Sequence, residues 1–116
     1  MTAKYLSKSY GSNLKIALAG RDASKLQNFI EKHNLNNLDV ISANLDDIKS
    51  LESMTSSTKC IISTAGPFAK IGMPIVDACV STNTNYVDIT GESPFVRAVI
   101  DKHHATAVEK GIKIVN

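Results

Sequence analysis

Short apolar runs alternate with segments of helical periodicity along this chain of 116 residues. The apolar runs predict five strands, at residues 15–19, 38–41, 60–63, 85–88 and 112–115. Apolar positions spaced three and four residues apart predict helices at 24–33, around 48–54, at 74–81 and from 93 to the glycine at 111. A further helix is predicted over residues 2–10, ended by Gly11.

The same periodicity predicts which side chains are buried. The continuous run 60–63 is typical of a strand covered on both faces. Each helix presents one apolar face, and the predicted faces are Ala3, Leu6 and Tyr10; Leu26, Phe29, Ile30 and His33; Ile48, Leu51 and Met54; and Val96, Val99, Ile100, His103 and Ala107. Asp46 or Asp47 is placed to cap the third helix, and Ser93, followed by Pro94, to cap the last.

Strands that alternate with helices over short connections predict an α/β fold with a Rossmann-like, doubly wound parallel sheet. The chain starts with a helix where a strand is expected, so we expect it to lack the first, central strand and its glycine-rich loop. Residues 1–116 are then one partial Rossmann-type NAD(P)-binding domain. The strands at 16–18 and 61–63 lose their common neighbour, and we expect them either to pair directly or to associate, through their open edges, with a second copy or a partner chain.

Composition narrows the function classes. A net charge of +2 is too small to indicate a nucleic-acid partner, and the absence of Trp disfavours a base-stacking surface. No apolar run approaches the length of a bilayer, so direct membrane insertion is not expected and a cytoplasmic protein is predicted. Cys60 and Cys79 lack metal-ligand neighbours at the usual spacing and are interpreted as two buried free thiols, so no metal site is predicted.

Gly20 and Arg21 follow the first strand, at the place where this fold meets the adenosine ribose. A guanidinium there suits a 2′-phosphate, because its N–H groups fork onto phosphate oxygens. The alternative is a solvated Arg21, with Asp22 as a helix cap. Asn44 and Leu45 follow the next strand, where the fold flanks the adenine ring; a simple capping turn is the alternative.

Ala65, Gly66, Pro67 and Phe68 follow the third strand, on the far side of the topological switch point. Small residues there let the backbone approach a cofactor ribose or nicotinamide, although a plain strand-ending turn is also possible. The segment 88–92 follows the fourth strand at the same edge, and its carboxylates could either meet a substrate or only cap the next helix. No histidine is assigned a catalytic role, and catalytic residues stay unknown.

Five segments occur in an order and at spacings that resemble a known family: Leu18–Asp22, Gly66–Phe68, the helix that bears Cys79, Tyr86–Glu92 and the helix that bears His103 and His104. They resemble the N-terminal domain of saccharopine dehydrogenase-like oxidoreductases, a group that includes trans-acting enoyl reductases. The resemblance implies hydride transfer with NADP, and a second α/β domain in full-length members. By this resemblance Gly20 and Arg21 match the adenosine-phosphate end, and Ala65, Gly66 and Pro67 match the turn beside the cofactor.

The family's strand with its Gly-x-x-Gly-x-x-Gly loop has no counterpart in these residues, and neither does its second domain. The chain is therefore interpreted as a family fragment, truncated at both ends, with weak or absent NADP binding and no activity alone. Two alternatives stay open: a non-catalytic nucleotide-binding or regulatory module, and a fragment that supplies strands to another chain.

Overall fold

A computed structural model describes residues 2–11 and 13–116 and divides the chain into two compact units, Met1–Asn44 and Leu45–Asn116. The helices are α1 (Thr2–Tyr10), α2 (Ala23–Lys32), α3 (Ile48–Ser56), α4 (Phe68–Ile71), α5 (Met73–Ser81) and α6 (Ser93–Lys110). The strands are β1 (Ile16–Gly20), β2 (Leu38–Ser42), β3 (Cys60–Ser63), β4 (Asn85–Asp88) and β5 (Ile114–Val115).

The first unit is a two-stranded parallel sheet with α1 and α2. β1 and β2 pair in register from Ile16 opposite Leu38 to Gly20 opposite Ser42. Parallel strands need a crossover, which α2 supplies. The buried residues of its core are Ile30, Leu35 and Leu38, with partly buried neighbours on α1, α2 and both strands.

The second unit contains a parallel sheet of order β3-β4-β5. Ile61 lies opposite Tyr86, and Tyr86 opposite Ile114, so one face of the sheet carries these three side chains. Ile61 and Ile114 are partly buried and pack against the core, whose buried members are Phe68, Val76, Cys79, Val80, Tyr86, Phe95 and Val99. The helix α6 ends at Gly111, whose φ of 67° is the left-handed conformation that glycine adopts without strain.

Hydroxyl groups join α3 to the turn between α5 and β4. The Thr84 hydroxyl donates to the Thr55 carbonyl oxygen at 2.8 Å, and the Thr82 hydroxyl donates to the Thr55 hydroxyl at 2.9 Å. Thr55 is completely buried. Because each hydroxyl has a partner, these polar groups are buried without the cost of an unmade hydrogen bond.

The predicted α/β class with parallel strands is confirmed, and the strands divide into two sheets rather than one. Among the described residues, β1 and β3 belong to separate sheets, so the expected direct pairing of β1 with β3 is not observed. Within the described residues, β1 and β3 each have a strand neighbour on one side only.

The prediction that the third strand is buried on both faces is wrong. Ile61 and Ser63 point into the unit, whereas Cys60 is exposed and Ile62 is 49% exposed. Successive side chains of a strand point to opposite faces, and in this unit the face of Ile62 remains exposed. The prediction of two buried thiols is therefore confirmed for Cys79 and wrong for Cys60.

Three predicted helix-face residues are exposed instead: Tyr10, Ile48 and Ile100. The buried stripe of α6 is Phe95, Val99, His103 and Ala107, an i, i+4 series. Ile100 lies one residue, about 100°, around the helix from Val99. Only the second half of α3 is buried, which leaves Ile48 in its first turn outside. No helix in the described ranges is long and apolar enough to cross a membrane.

Candidate functional site

The carboxyl ends of β1 and β2 are held together by a backbone hydrogen bond. The amide of Ala43 donates to the Gly20 carbonyl oxygen at 3.0 Å. Asn44 comes next in the chain and is exposed, so Gly20, Arg21 and Asn44 lie at one edge of the sheet, as the sequence predicts. Leu45 is half-buried and begins the second unit.

Asp22 is the N-cap of α2, and its carboxylate accepts a hydrogen bond from the Lys25 amide at 3.0 Å. That amide lowers the pKa of Asp22 below its ordinary value of 3.8. The Lys25 ammonium lies 3.4 Å from the other carboxylate oxygen. The capping role that the sequence offered for Asp22 is therefore confirmed, and this carboxylate is already partnered.

Arg21 is exposed directly after β1. In the described part of the chain its guanidinium forms no hydrogen bond or ion pair, since Asp22 pairs with Lys25 instead. A free fork of N–H donors at the end of this strand can receive an anionic group. Asp47, rather than Asp46, caps α3 by accepting from the Ser50 amide at 3.2 Å.

The proline turn, residues Ala65–Phe68, follows β3 in the second unit. Ala65, Gly66 and Pro67 are exposed, and the Gly66–Pro67 peptide bond is cis. Phe68 is only 6% exposed and belongs to the core, with its ring centroid 6.0 Å from that of Phe95. Phe68, which the sequence groups with the cofactor contacts, therefore anchors the turn, and the three residues before it are the part that a ligand can reach.

Gly66 is not required by the fold itself. A Cβ added there meets the Phe68 ring at 3.5 Å, an ordinary van der Waals distance, and the backbone of Gly66 is not in the left-handed region. Gly72, at the junction of α4 and α5, is different, because an added Cβ would lie 2.6 Å from Cζ of Phe95. A glycine that the fold does not need, on an exposed turn, is typical of a place where a ligand approaches the backbone.

The acidic loop, residues Asp88–Glu92, follows β4. The Asp88 side chain is buried and accepts three hydrogen bonds: from the Tyr86 hydroxyl at 2.8 Å, the Asn116 amide group at 2.9 Å and the Thr90 backbone N–H at 2.9 Å. The Thr90 hydroxyl oxygen in turn accepts from the Glu92 backbone N–H at 3.0 Å. These contacts fix the loop from its first residue to its last.

Glu92 joins the acidic loop to the proline turn. One carboxylate oxygen accepts from the Phe68 amide at 2.7 Å and the other accepts from the Ala69 amide at 2.9 Å. Glu92, not Ser93, is the N-cap residue of α6, and its side chain does not cap that helix. The prediction of Ser93 as cap is wrong because the helix begins at Ser93. The contact between Glu92 and the turn could not be predicted, because nothing in the local sequence pattern reveals a partner 24 residues away.

Tyr86 lies beneath the acidic loop and is almost completely buried. Burial and its hydrogen bond to Asp88 raise the pKa of the Tyr86 phenol, so the group remains a neutral donor at physiological pH. An uncharged phenol that donates to a buried carboxylate helps to satisfy that carboxylate. In this position Tyr86 supports the loop rather than facing a ligand.

The histidines have structural surroundings. Nε2 of His103 lies 2.6 Å from the Asp77 carboxylate, and the Lys102 ammonium lies 2.8 Å from the other oxygen of Asp77. His103 is buried on α6 and His104 is exposed, as the sequence predicts. Nowhere in residues 2–11 and 13–116 do three His, Cys, Asp or Glu side chains group as metal ligands.

Comparison with known proteins identifies the family of the chain. Residues 1–115 match the family described as the saccharopine dehydrogenase NADP binding domain. The chain is 37% identical over 117 residues to a trans-acting enoyl reductase from Mycobacterium leprae. The alignment covers 99% of this chain and 28% of that protein. A trans-acting enoyl reductase from Mycobacterium tuberculosis is 36% identical over the same shares. The chain thus spans about a quarter of the length of these relatives.

A solved structure shows the same fold. The apo form of the histidine-tagged, L-Glu-forming saccharopine dehydrogenase from Saccharomyces cerevisiae superposes with a TM-score of 0.75 at 18% identity. The match covers 97% of this chain and 24% of the yeast protein. The family match over residues 1–115 agrees with the alternating strands and helices and with the glycine-arginine pair after β1. The chain therefore belongs to the saccharopine dehydrogenase NADP-binding domain family.

Proposed function

We propose that this chain binds NADP and that Arg21 selects it over NAD by holding the 2′-phosphate. The observation that carries the proposal is the exposed Arg21 guanidinium directly after β1, which has no partner among residues 2–11 and 13–116. NAD-specific proteins place an available carboxylate in this region for the 2′-hydroxyl. The carboxylate of Asp22, the next residue in the chain, is occupied by the Lys25 amide and ammonium.

Within the second unit, the proline turn separately favours a contact with a nicotinamide group. Its exposed residues Ala65, Gly66 and Pro67 carry no large side chain, and Gly66 leaves room that the fold does not fill. The sequence contains no glycine-rich loop of the Gly-x-x-Gly-x-x-Gly type to hold the pyrophosphate. We therefore expect weak binding, in the range that NMR titration measures and that dilute assays miss.

NADPH, when bound, supplies a hydride, and reduction of a substrate is the activity that we propose for a longer protein containing this domain. The support is the match to trans-acting enoyl reductases, of which this chain spans 28%. The residues described here bind and orient the cofactor in this proposal. The cytoplasmic location expected from the composition stays a prediction.

Titration of the 15N-labelled chain with NADPH and with NADH tests the proposal. We expect Arg21→Glu to weaken NADPH binding at least tenfold and to leave NADH binding within twofold, since a charge-assisted contact is worth about 1.5–3 kcal/mol. Lys32→Glu, the same charge reversal at the far end of α2, is the matched control and leaves both affinities unchanged. Equal affinity of the unaltered chain for the two cofactors contradicts the role of Arg21.

We also propose that the chain associates through its strand edges. β1 and β3 each expose one unpaired edge among the described residues, and Ile62 on β3 is 49% exposed. Unpaired backbone N–H and C=O groups beside exposed apolar side chains invite another strand. Light scattering across a concentration series should show dimers or larger species that Ile62→Lys reduces. A strictly monomeric chain at every concentration refutes the proposal.

A further inference from the structure

We propose that Glu92 is a positioning residue, which sets the geometry of the proline turn for the nicotinamide end of the cofactor. This inference rests on the proposed NADP binding. The resemblance assigned no role to the loop that ends at Glu92, and the sequence left a substrate contact and a helix cap as its alternatives. The structure shows a third arrangement, in which the Glu92 carboxylate accepts hydrogen bonds from the Phe68 and Ala69 amides.

The geometry of this contact is specific to a carboxylate. Two backbone N–H groups, one residue apart, each receive one of the two oxygens of the same side chain, at 2.7 Å and 2.9 Å. Two parallel N–H donors need two acceptors, which a carboxylate offers and an amide does not. The contact therefore fixes both the position and the rotation of the peptide groups where the turn enters α4.

The backbone of Glu92 is itself held in place by hydrogen bonds within the acidic loop. Its backbone N–H donates to the Thr90 hydroxyl, and the Thr90 N–H donates to the buried Asp88 carboxylate. Asp88 is fixed by the phenol of the core residue Tyr86. A rigid series of contacts thus runs from the core, through the acidic loop, to the turn.

The exposed part of the turn begins one residue before the amides that Glu92 holds. Pro67 and Gly66 are exposed and precede Phe68 directly, and Phe68 is fixed at its ring by the core and at its N–H by Glu92. Loss of either attachment lets the exposed peptide groups rotate. A turn that rotates presents its backbone to the cofactor in several orientations, and affinity falls because ordering it costs entropy.

The test compares two ligands that share one end. NADPH carries the nicotinamide, whereas adenosine 2′,5′-bisphosphate contains only the adenosine-phosphate end. In NMR titrations of the full 116-residue chain, we expect Glu92→Gln to weaken NADPH binding by about tenfold, because one of two charge-assisted hydrogen bonds is replaced by a donor facing a donor. Affinity for the bisphosphate is expected to stay within twofold. Glu92→Ala, which removes both bonds, should weaken NADPH further.

Glu109→Gln makes the same chemical change at an exposed position on the last turns of α6 and is the matched control. A second measurement uses the unaltered chain. Amide signals of Phe68 and Ala69 should shift on addition of NADPH and not on addition of the bisphosphate. If these two signals do not move with NADPH, the positioning role of Glu92 is overturned even where the Glu92 variants fail to fold.

The outcomes separate this inference from the function on which it rests. Binding of neither ligand refutes NADP binding, and the positioning role with it. If the bisphosphate binds and NADPH binds no better, or if Glu92→Gln weakens both ligands equally, the phosphate end of the proposed function stands and the role of Glu92 is overturned. Unchanged binding of both ligands in Glu92→Gln overturns it as well.

Discussion

Gly72 and Gly66 lie six residues apart, and substitution by alanine is expected to destabilise the fold at Gly72 but not at Gly66. A Cβ at Gly72 would lie 2.6 Å from Cζ of Phe95 and 2.8 Å from the Phe68 carbonyl oxygen. Carbon atoms in contact normally lie about 3.5–4.0 Å apart. The overlap with the ring carbon is therefore close to 1 Å, and this ring is only 3% exposed in the core. The backbone oxygen at 2.8 Å is also closer than a normal contact.

Overpacking of this kind costs about 1–3 kcal/mol. The upper part of that range applies, because the Phe68 carbonyl cannot rotate away and the Phe95 ring has no free space. Gly72 has helical backbone angles (φ −76°, ψ −39°), so alanine regains about 1 kcal/mol of backbone entropy. The net expectation for Gly72→Ala is a loss of about 2 kcal/mol, which lowers the midpoint of thermal unfolding by about 8–16 °C in a unit of this size.

Gly66→Ala is the matched variant. Its Cβ would meet the Phe68 ring at 3.5 Å, so the stability should change by less than about 0.5 kcal/mol, as for an ordinary surface substitution. The new methyl group on the exposed turn should nevertheless weaken NADPH binding. Thermal unfolding followed by circular dichroism, together with NMR titration, measures both quantities. A Gly72→Ala variant as stable as the unaltered chain refutes the steric argument, and an unstable Gly66→Ala variant contradicts the space assigned to Gly66.

Two further predictions concern the second unit. Asp77→Ala removes the partner of the buried His103 ring and should lower the free energy of unfolding, measured in urea, by about 1–3 kcal/mol. Asp101→Ala, which breaks an exposed ion pair on α6, should leave the midpoint of urea unfolding nearly unchanged. Equal effects of the two substitutions contradict the role of Asp77. Burial raises the pKa of the Cys79 thiol from 9.0 to about 12, so the folded state should lose stability as pH rises from about 9 towards 12. At pH 8, iodoacetamide should label only the exposed Cys60 until the chain is unfolded, and mass spectrometry measures this labelling. Labelling of Cys79 in the folded chain at the rate of Cys60 contradicts its burial.

The sequence predicted the local structure well, because its signals are local. The strand 85–88 and the helix 2–10 have the predicted bounds, and Gly111 ends α6 in the left-handed conformation. The role of Asp22 as a cap could also be foreseen, since a capping side chain bonds an amide three residues on. Such features depend on neighbours in the chain alone.

What the sequence did not reveal depends on distant contacts. An apolar strand such as residues 60–63 does not show that one of its faces is left exposed. A phenylalanine after Gly66–Pro67 fits a cofactor contact and a core position equally, and the packing against Phe95, 27 residues later in the chain, assigns Phe68 to the core. The two oxygens of Glu92 could be placed only once its partner amides were located.

The contact between Glu92 and the Phe68 amide also has a consequence for how the chain is made. It spans 24 positions, and α4, α5 and β4 all lie between its two ends. The entropy of closing that loop is lost before the contact is gained, so the contact forms after the β3–α5–β4 crossover has brought the ends together. On the ribosome, the proline turn is synthesised first and stays without its final form until the acid at position 92 has emerged. A nascent chain that stops short of residue 92 carries every residue of the turn and lacks its shape.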